Sequence, residues 1–480
     1  MMQEETDTIT ETVAVVLAAG KSTRMRSKTP KVLHPLCGQP LLSHILNALG
    51  AAGVSRRIVV VGHQAEAVQT AMESEYGAGT LEYALQAEQK GTGHAVQMVE
   101  PLLSPFTGTI LVLPGDAPLL TAEILSNLLN AHNARSAAAT VLTAVLPNDA
   151  GAYGRILRDS HGDVAAIVEA KDALPEQLAL REINTGVYAF SGKLLFRALR
   201  DLRPNNAQGE LYLTDVIGLL KEAGETVAAV VSPDAEVILG VNTRVELAEI
   251  GAKLRFRLLK NLMLSGVTIT DPHTTYIDAT VEIGTDSTIH PFTHLLGKTR
   301  IGEECVIGPH SHITSSTIGD RVQARFCVMD SVVVEEDSRL GPYTHLRPGS
   351  HIGKRARLGN FVETKATILG DGVSVGHLTY LGDATVGEGT NIGGGTITCN
   401  YDGYQKSRTV IGARNFIGSH TALVAPVTLG DDAFTAAGSV ITEDVPADTL
   451  AVARERQVNK EGWVSRRRER IAREKETKQP

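Results

Sequence analysis

HIGKRARLGNFVETKATILGDGVSVG, residues 351–376, decides the architecture of the C-terminal half. Aliphatic–glycine pairs stand at Ile352-Gly353, Leu358-Gly359, Leu369-Gly370 and Val375-Gly376, and within each successive couple they are six residues apart. A helix facing a core repeats its apolar positions every three to four residues and a half-buried strand every two. A period of six fits neither. It fits a solenoid whose flat faces each send an aliphatic side chain inward and turn at the corners, the hexapeptide signature of a β-helix. The same pairs recur upstream at Ile283-Gly284, Ile301-Gly302, Ile307-Gly308 and Ile318-Gly319, and downstream at Ile392-Gly393, Ile411-Gly412, Ile417-Gly418 and Leu429-Gly430. Gaps that are not multiples of six imply loops or slips between coils. The repeat runs from about residue 266 to 445.

The N-terminal half has a different period. Thr12–Leu17, Ile58–Val61 and Thr109–Leu113 are short, β-branched runs closed by Gly, Pro or a charge, as buried parallel strands are. Amphipathic segments such as Leu41–Leu49 lie between them, and further strands are expected at Val141–Leu146, Gly186–Phe190 and Thr226–Val231. Strands alternating with helices predict an α/β sheet covered on both faces. From Thr243 to Met263 the residues Leu247, Ile250, Leu254, Leu258 and Leu262 form one apolar stripe, which predicts a long helix. The expected organisation is therefore a flexible N-terminus at 1–11, an α/β domain at 12–242, a helical linker at 243–265, a β-helix domain at 266–464 and a charged flexible tail at 465–480.

Composition excludes several classes. The 480 residues carry a net charge of −8, which argues against a dedicated nucleic-acid binder. No apolar run approaches the roughly 20 residues of a membrane span. The opening MMQEETDTITE lacks a basic-then-apolar leader. Cys37, Cys305, Cys327 and Cys399 are scattered, without metal-ligand or disulfide spacing. These features together predict a cytoplasmic protein with reduced thiols.

Candidate chemistry begins at Leu17-Ala18-Ala19-Gly20-Lys21-Ser22-Thr23-Arg24-Met25, directly after the first strand. Small residues let backbone amides approach a phosphate or a base, and Arg24 and Lys31 supply charge for a polyphosphate. Open α/β sheets bind ligands at this end of their strands. Asp116 closes another strand in LVLPGDAP and reads either as a turn cap or as a Mg²⁺ ligand. Gln86–Ala95 is polar and Gly-containing, suited to reading a base edge; its His94, standing alone, reads as structural. In the repeat, His377, Tyr380 and Asn391 follow Arg347 and Lys365 at spacings that coils of about eighteen residues could gather on one side. The two cations suit a sugar phosphate, and Tyr380 and Asn391 suit sugar hydroxyls.

LAAGKSTRM with Pro30-Lys31 resembles the signature of the sugar-nucleotide pyrophosphorylases. With GHLTYLGD and ITCNYDG in the repeat, the chain from about Val13 to Trp463 resembles the family of bifunctional N-acetylglucosamine-1-phosphate uridyltransferases/glucosamine-1-phosphate acetyltransferases. The resemblance implies a Rossmann-like nucleotidyltransferase domain followed by a left-handed parallel β-helix. It implies that Leu17, Ala18, Ala19, Gly20, Gln86, Gly91 and Thr92 hold a uridine nucleotide, with Arg24 and Lys31 neutralising its phosphates. Asp116 and Asn242 would hold Mg²⁺; Gly115, Gly154, Glu169 and Asn184 would complete the site for the amino sugar and nucleotide. The family often has Tyr where Pro114 stands, so no side-chain contact is carried over there.

For the second half the resemblance makes His377 a general base and assigns Arg347, Lys365, Tyr380 and Asn391 to the amino-sugar phosphate. It assigns Gly394, Asn400, Tyr401, Ser419, Ala437 and Arg454 to acetyl-CoA, with Asn400 or a backbone amide as oxyanion donor and Lys406 near phosphates. It further implies a homotrimer with acetyltransferase sites between subunits, UTP and acetyl-CoA as co-substrates, and a place in the supply of bacterial peptidoglycan and lipopolysaccharide. The competing reading is a pyrophosphorylase for another sugar with a β-helix that is only scaffold.

Overall fold

The computed structural model describes residues 11–477; residues 1–10 of the expected N-terminal segment and 478–480 of the tail lie outside the described residues. The chain divides into two compact units, one up to Lys260 with Ile277–Ala279, the other from Asn261 onward without those three residues.

The first unit is built on a mixed sheet of strands β1 (Thr12–Ala18), β2 (Arg56–Val61), β3 (Glu82–Leu85), β4 (Thr109–Pro114), β5 (Ala139–Val145), β6 (Arg155–Arg158), β7 (Val164–Val168), β8 (Glu182–Ser191) and β9 (Val227–Val231). Their order is β9-β5-β8-β4-β1-β2-β3, and the β6–β7 hairpin extends from β8. The three runs expected as parallel strands are neighbours at the centre: β1 pairs in parallel with β2 and with β4. Their side chains alternate between two cores. Val13 and Val15 face one, with Leu195, Leu199 and Ile217 from covering helices; Ala14 and Val16 face the other, with Ile45, Leu49 and Leu125. Burial on both faces explains why these strands read as continuous apolar runs. The strand expected at Gly186–Phe190 begins earlier, at Glu182, and runs antiparallel to β4 and β5. A register shift between Asn184 and Tyr188 breaks its alternation, which hid its first half in the sequence.

The helix Arg244–Leu264 buries Ile250, Leu254 and Leu259. It starts at a reciprocal cap: the Thr243 and Glu246 side chains accept from each other's backbone N–H, at 3.2 and 2.9 Å.

The second unit is a parallel β-helix. Strands one coil apart pair in parallel, as Ile289 with Ile307, Leu340 with Leu358, and Val375 with Ile392. All six of these side chains are buried, each contributing on the order of 1.5–3 kcal/mol to the core. In the aliphatic–glycine pairs, Val375-Gly376 excepted, the glycine is a packing requirement. A Cβ on Gly353 would lie 2.6 Å from the Gly370 carbonyl carbon of the next coil, and one on Gly418 would lie 2.5 Å from the Ala437 nitrogen. Equivalent positions are usually 17 or 18 residues apart, but Thr390 and Asn415 are separated by 25. The extra length leaves the coil as the excursion around Tyr401–Lys406, which closes on itself through an isolated bridge.

One corner carries residues with left-handed φ on successive coils: Phe292 (58°), His310 (54°), Phe326 (50°), Tyr343 (63°), Phe361 (59°) and Leu378 (44°). Its rings stack at centroid distances of 4.7, 5.2 and 5.2 Å, with Phe326 and Tyr343 tilted at 47° and 5.4 Å between them, so several of the few aromatics form one ladder. Two strands, β10 (Arg357–Lys365) and β11 (Ser374–Gly382), run through this corner and join two faces. Up to Glu476, the residues expected as a charged tail belong to the helix Trp463–Glu476, exposed through Lys475.

Candidate active sites

In the first unit the loop after β1 is anchored by Met25, which is buried against Leu36, Leu119 and Val241. That packing places the neighbours of Met25 and Val241 together: the Arg24 guanidinium donates to Asn242 Oδ1 at 2.8 Å. The Val241 N–H bonds the Asp116 carbonyl at 2.9 Å, which ties the end of β4 to the same point. The Lys31 ammonium then sits between two oxygens, in an ion pair with the Asp116 carboxylate and 3.0 Å from Asn242 Oδ1. Asn242 is held from behind, its N–H donating to Glu246 at 2.6 Å. Four residues separated by up to 218 positions thus form one cluster. The two hard oxygens that converge on a cation here are a donor set that Mg²⁺ accepts, since it completes its shell with waters and substrate phosphates.

Beside the cluster lies a cavity of about 310 Å³ lined by Leu17, Ala18, Ala19, Gly20, Gln86, Gly91, Thr92 and Asp116 among others. Gly115 is required here, because a Cβ would come 2.9 Å from the Leu17 carbonyl oxygen. A second cavity of about 260 Å³ shares Leu17, Thr92 and Pro114 with the first and adds Gly154, Glu169, Asn184, Tyr188 and Thr214. Burial pushes the Glu169 carboxyl above the usual carboxylate range, although the Thr214 hydroxyl donates to it at 3.2 Å. Asn184 is fixed by its N–H to the Gly154 carbonyl (2.9 Å) and by its side-chain amide to the Tyr188 hydroxyl (2.7 Å). Thr214 and Tyr188 escaped the sequence reading; only the bulge in β8 and the burial of Glu169 make them matter. Pro114 lines both cavities with an apolar ring.

In the second unit the expected residues fall into two groups. Arg347, Lys365 and Lys406 lie together: Lys406 first, then desolvation and, least, Arg347 press the Lys365 ammonium below the usual lysine range, while Asp383 opposes them. Arg347 also pairs with Glu363 at 3.0 Å. Tyr380 is in register with Glu363, and a Cβ on Gly382 would meet both the Tyr380 hydroxyl and the Asn400 amide. Those two polar tips therefore share the space that Gly382 leaves open. Asn400 is buried and donates to Asp383. Asp383 was missed, although it directly follows Gly382 in the quoted GHLTYLGD stretch.

His377 belongs to the other group. It lies exposed at the corner of β11, in register with Asn360 and beside Leu378. Gly394 follows one coil on, where a Cβ would be 3.3 Å from the His377 Cβ. The Gly394 carbonyl accepts from His420 and the Ser419 carbonyl from Gly438, each at 2.8 Å, so Gly394, Ser419 and Ala437 continue the row from His377. Arg454 ends it, its guanidinium donating to the Ala437 carbonyl at 2.9 Å. Asn391 stands on the adjoining face, in register with Ser374 and Phe416. Tyr401 is exposed on the excursion, its hydroxyl donating to the Gly403 carbonyl.

An α/β sheet with a cation–carboxylate cluster at its strand ends, joined in one chain to a hexapeptide-repeat β-helix, defines a two-domain transferase. Residues 14–212 match the MobA-like NTP transferase domain, 280–315 the bacterial transferase hexapeptide with six repeats, and 408–443 the hexapeptide repeat of succinyl-transferase. Curated relatives named Bifunctional protein GlmU include those of Exiguobacterium sp. (51% identity over 95% of this chain and 100% of the relative), Streptomyces avermitilis (50%, 95% and 94%) and Brevibacillus brevis (49%, 94% and 97%). The chain belongs to this GlmU family of bifunctional transferases.

Proposed function

We propose that this enzyme makes UDP-N-acetylglucosamine in two steps: acetyl transfer from acetyl-CoA to glucosamine 1-phosphate in the β-helix, then uridylyl transfer from UTP to N-acetylglucosamine 1-phosphate in the α/β unit. The observation that carries the reading is that one chain holds both the Arg24–Lys31–Asp116–Asn242 cluster and the Arg347–Lys365–Lys406 cluster, the latter on a β-helix that also presents His377.

In the uridylyl step a phosphate oxygen of the sugar 1-phosphate attacks the α-phosphorus of UTP. The bond to the β-phosphate bridging oxygen breaks, and pyrophosphate leaves. No protein nucleophile is needed, and catalysis is positioning plus charge stabilisation. Lys31 and Arg24 neutralise the phosphates, the loop 17–20 offers backbone N–H groups, and Glu169 and Asn184 orient the amino sugar. Asp116 and Asn242 would hold Mg²⁺, which would supply further positive charge for the phosphate oxygens. In the acetyl step the His377 imidazole takes a proton from the amine of glucosamine 1-phosphate. The nitrogen attacks the thioester carbonyl, the carbon–sulfur bond breaks, and the thiol of CoA leaves. Arg347, Lys365 and Lys406 hold the sugar phosphate; the row Gly394, Ser419, Ala437 and Arg454 takes acetyl-CoA. The hexapeptide-repeat β-helix supports a homotrimer in which neighbours complete each site. Cytoplasmic location accords with the substrates.

The test is one incubation with acetyl-CoA, glucosamine 1-phosphate, UTP and Mg²⁺. Release of both free thiol and pyrophosphate is expected. Pyrophosphate without thiol, with N-acetylglucosamine 1-phosphate supplied, would leave only a uridylyltransferase on an inert scaffold. Sedimentation velocity at micromolar concentration should give a trimer, and a monomer would overturn the shared-site arrangement.

A further inference from the structure

Gln86 lies just beyond β3, almost fully buried, with its N–H bonded to the Val61 carbonyl at 2.7 Å. Its carboxamide nitrogen is 3.0 Å from the Gly91 carbonyl oxygen and 3.1 Å from His94 Nδ1. An amide nitrogen has no lone pair to offer, so it donates in both contacts and the imidazole nitrogen accepts. Both amide hydrogens are then committed. Oε1 is the end left for a ligand in the cavity that Gln86 lines.

We propose that His94 is a positioning residue that locks the Gln86 carboxamide with its oxygen toward the base, and thereby sets the preference for a pyrimidine bearing an N3–H, uracil over cytosine. The inference rests on the uridylyl-transfer reading of this site. Uracil N3–H donates to Oε1; cytosine presents a lone pair at the same ring position, and two acceptors repel. Accepting cytosine would require the carboxamide to turn over. That would set Oε1 against the Gly91 oxygen and against the Nδ1 lone pair, leaving buried acceptors unpaired. Gly91 cannot retreat. Its φ is +108°, a Cβ there would lie 2.4 Å from the Leu211 oxygen, and its own carbonyl also accepts from Ala95 at 3.2 Å. His94 is equally constrained, because Thr92 and Gly93 in the same short helix Thr92–Gln97 bond the Leu211–Leu213 backbone. The ring must keep its hydrogen on Nε2 to serve as acceptor.

The experiment measures pyrophosphate release with UTP and with CTP for the full-length enzyme and two variants. His94→Phe keeps a ring without an acceptor; His94→Asn places Oδ1 where Nδ1 stands. His94→Phe should lose about tenfold of the UTP-to-CTP ratio of kcat/KM, chiefly through a higher KM for UTP, the effect of about one hydrogen bond. His94→Asn should keep most of that ratio. A merely structural histidine would lower both nucleotides together, and an unchanged ratio in His94→Phe, or a ratio in His94→Asn as low as that of His94→Phe, overturns the proposal. Wild-type hydrogen-exchange protection of β1 and β4 reports that the α/β unit of each variant is folded. A wild-type enzyme that releases pyrophosphate from neither nucleotide would sink the uridylyl reading itself, a different result from a lost ratio.

Discussion

His132 shows what one buried titratable side chain does to stability. It lies 4% exposed on the helix Ala122–Ala134, with Nδ1 3.0 Å from the Thr140 hydroxyl. Burial pushes its pKa down to about 4 from 6.5. A base whose folded pKa lies below its unfolded value favours the native state only while neutral. That contribution is whole above about pH 6.5 and is lost as the pH falls toward 4, at ~1.4 kcal/mol for each pH unit. His132→Gln keeps a polar partner for Thr140 and removes the titration. Its acid limb should be shallower by roughly 3 kcal/mol, read as hydrogen-exchange protection of β5 between pH 7 and 4. Parallel curves for variant and wild type would refute the assignment.

At the scale of elements, the β-helix makes unequal demands on its glycines. A Cβ on Gly359 would lie 1.9 Å from the Gly376 carbonyl oxygen, whereas one on Gly376 meets nothing within 4 Å. Gly359→Ala should therefore lower the melting temperature of the β-helix, by overpacking that costs ~1–3 kcal/mol or more, while Gly376→Ala leaves it near wild type. Equal melting temperatures would contradict the stacking account. This is also where legibility in the sequence divides. The aliphatic–glycine pairs disclosed the coils because inward packing and coil-to-coil contact each forbid most residues at those positions. The strands β1, β2 and β4 were legible because burial on both faces leaves only aliphatics. The hairpin β6–β7 and the first half of β8 were not, since a bulge and half-exposed positions erase the period. Arg24, Lys31 and Asp116 could be read from loops at strand ends. The Gln86–His94 contact, Thr214 on Glu169 and Asp383 on Asn400 could not, because each depends on where separate segments meet.

For the whole molecule, the two clusters lie in separate compact units, each with its own core. The expectation is functional independence. Asp116→Ala should lower pyrophosphate release at least a hundredfold with thiol release preserved, and His377→Ala should do the reverse, in line with the 10²–10⁴ that a positioned acid–base group contributes. Loss of both activities from either substitution in a folded protein would show the units to be coupled.

The long coil between Thr390 and Asn415 has a last implication. A solenoid's layers touch only their immediate neighbours, so surplus chain at one layer spills outward without disturbing those above or below. Here the spill carries Tyr401 and Lys406 and begins at the buried Asn400, beside Lys365 and Asp383. On the proposed assignment of Tyr401 and Lys406 to the substrates, a new preference for acyl donor or acceptor is open to lineages, or to a protein engineer, by rewriting a few residues of one protruding finger while the rest of the column is inherited untouched.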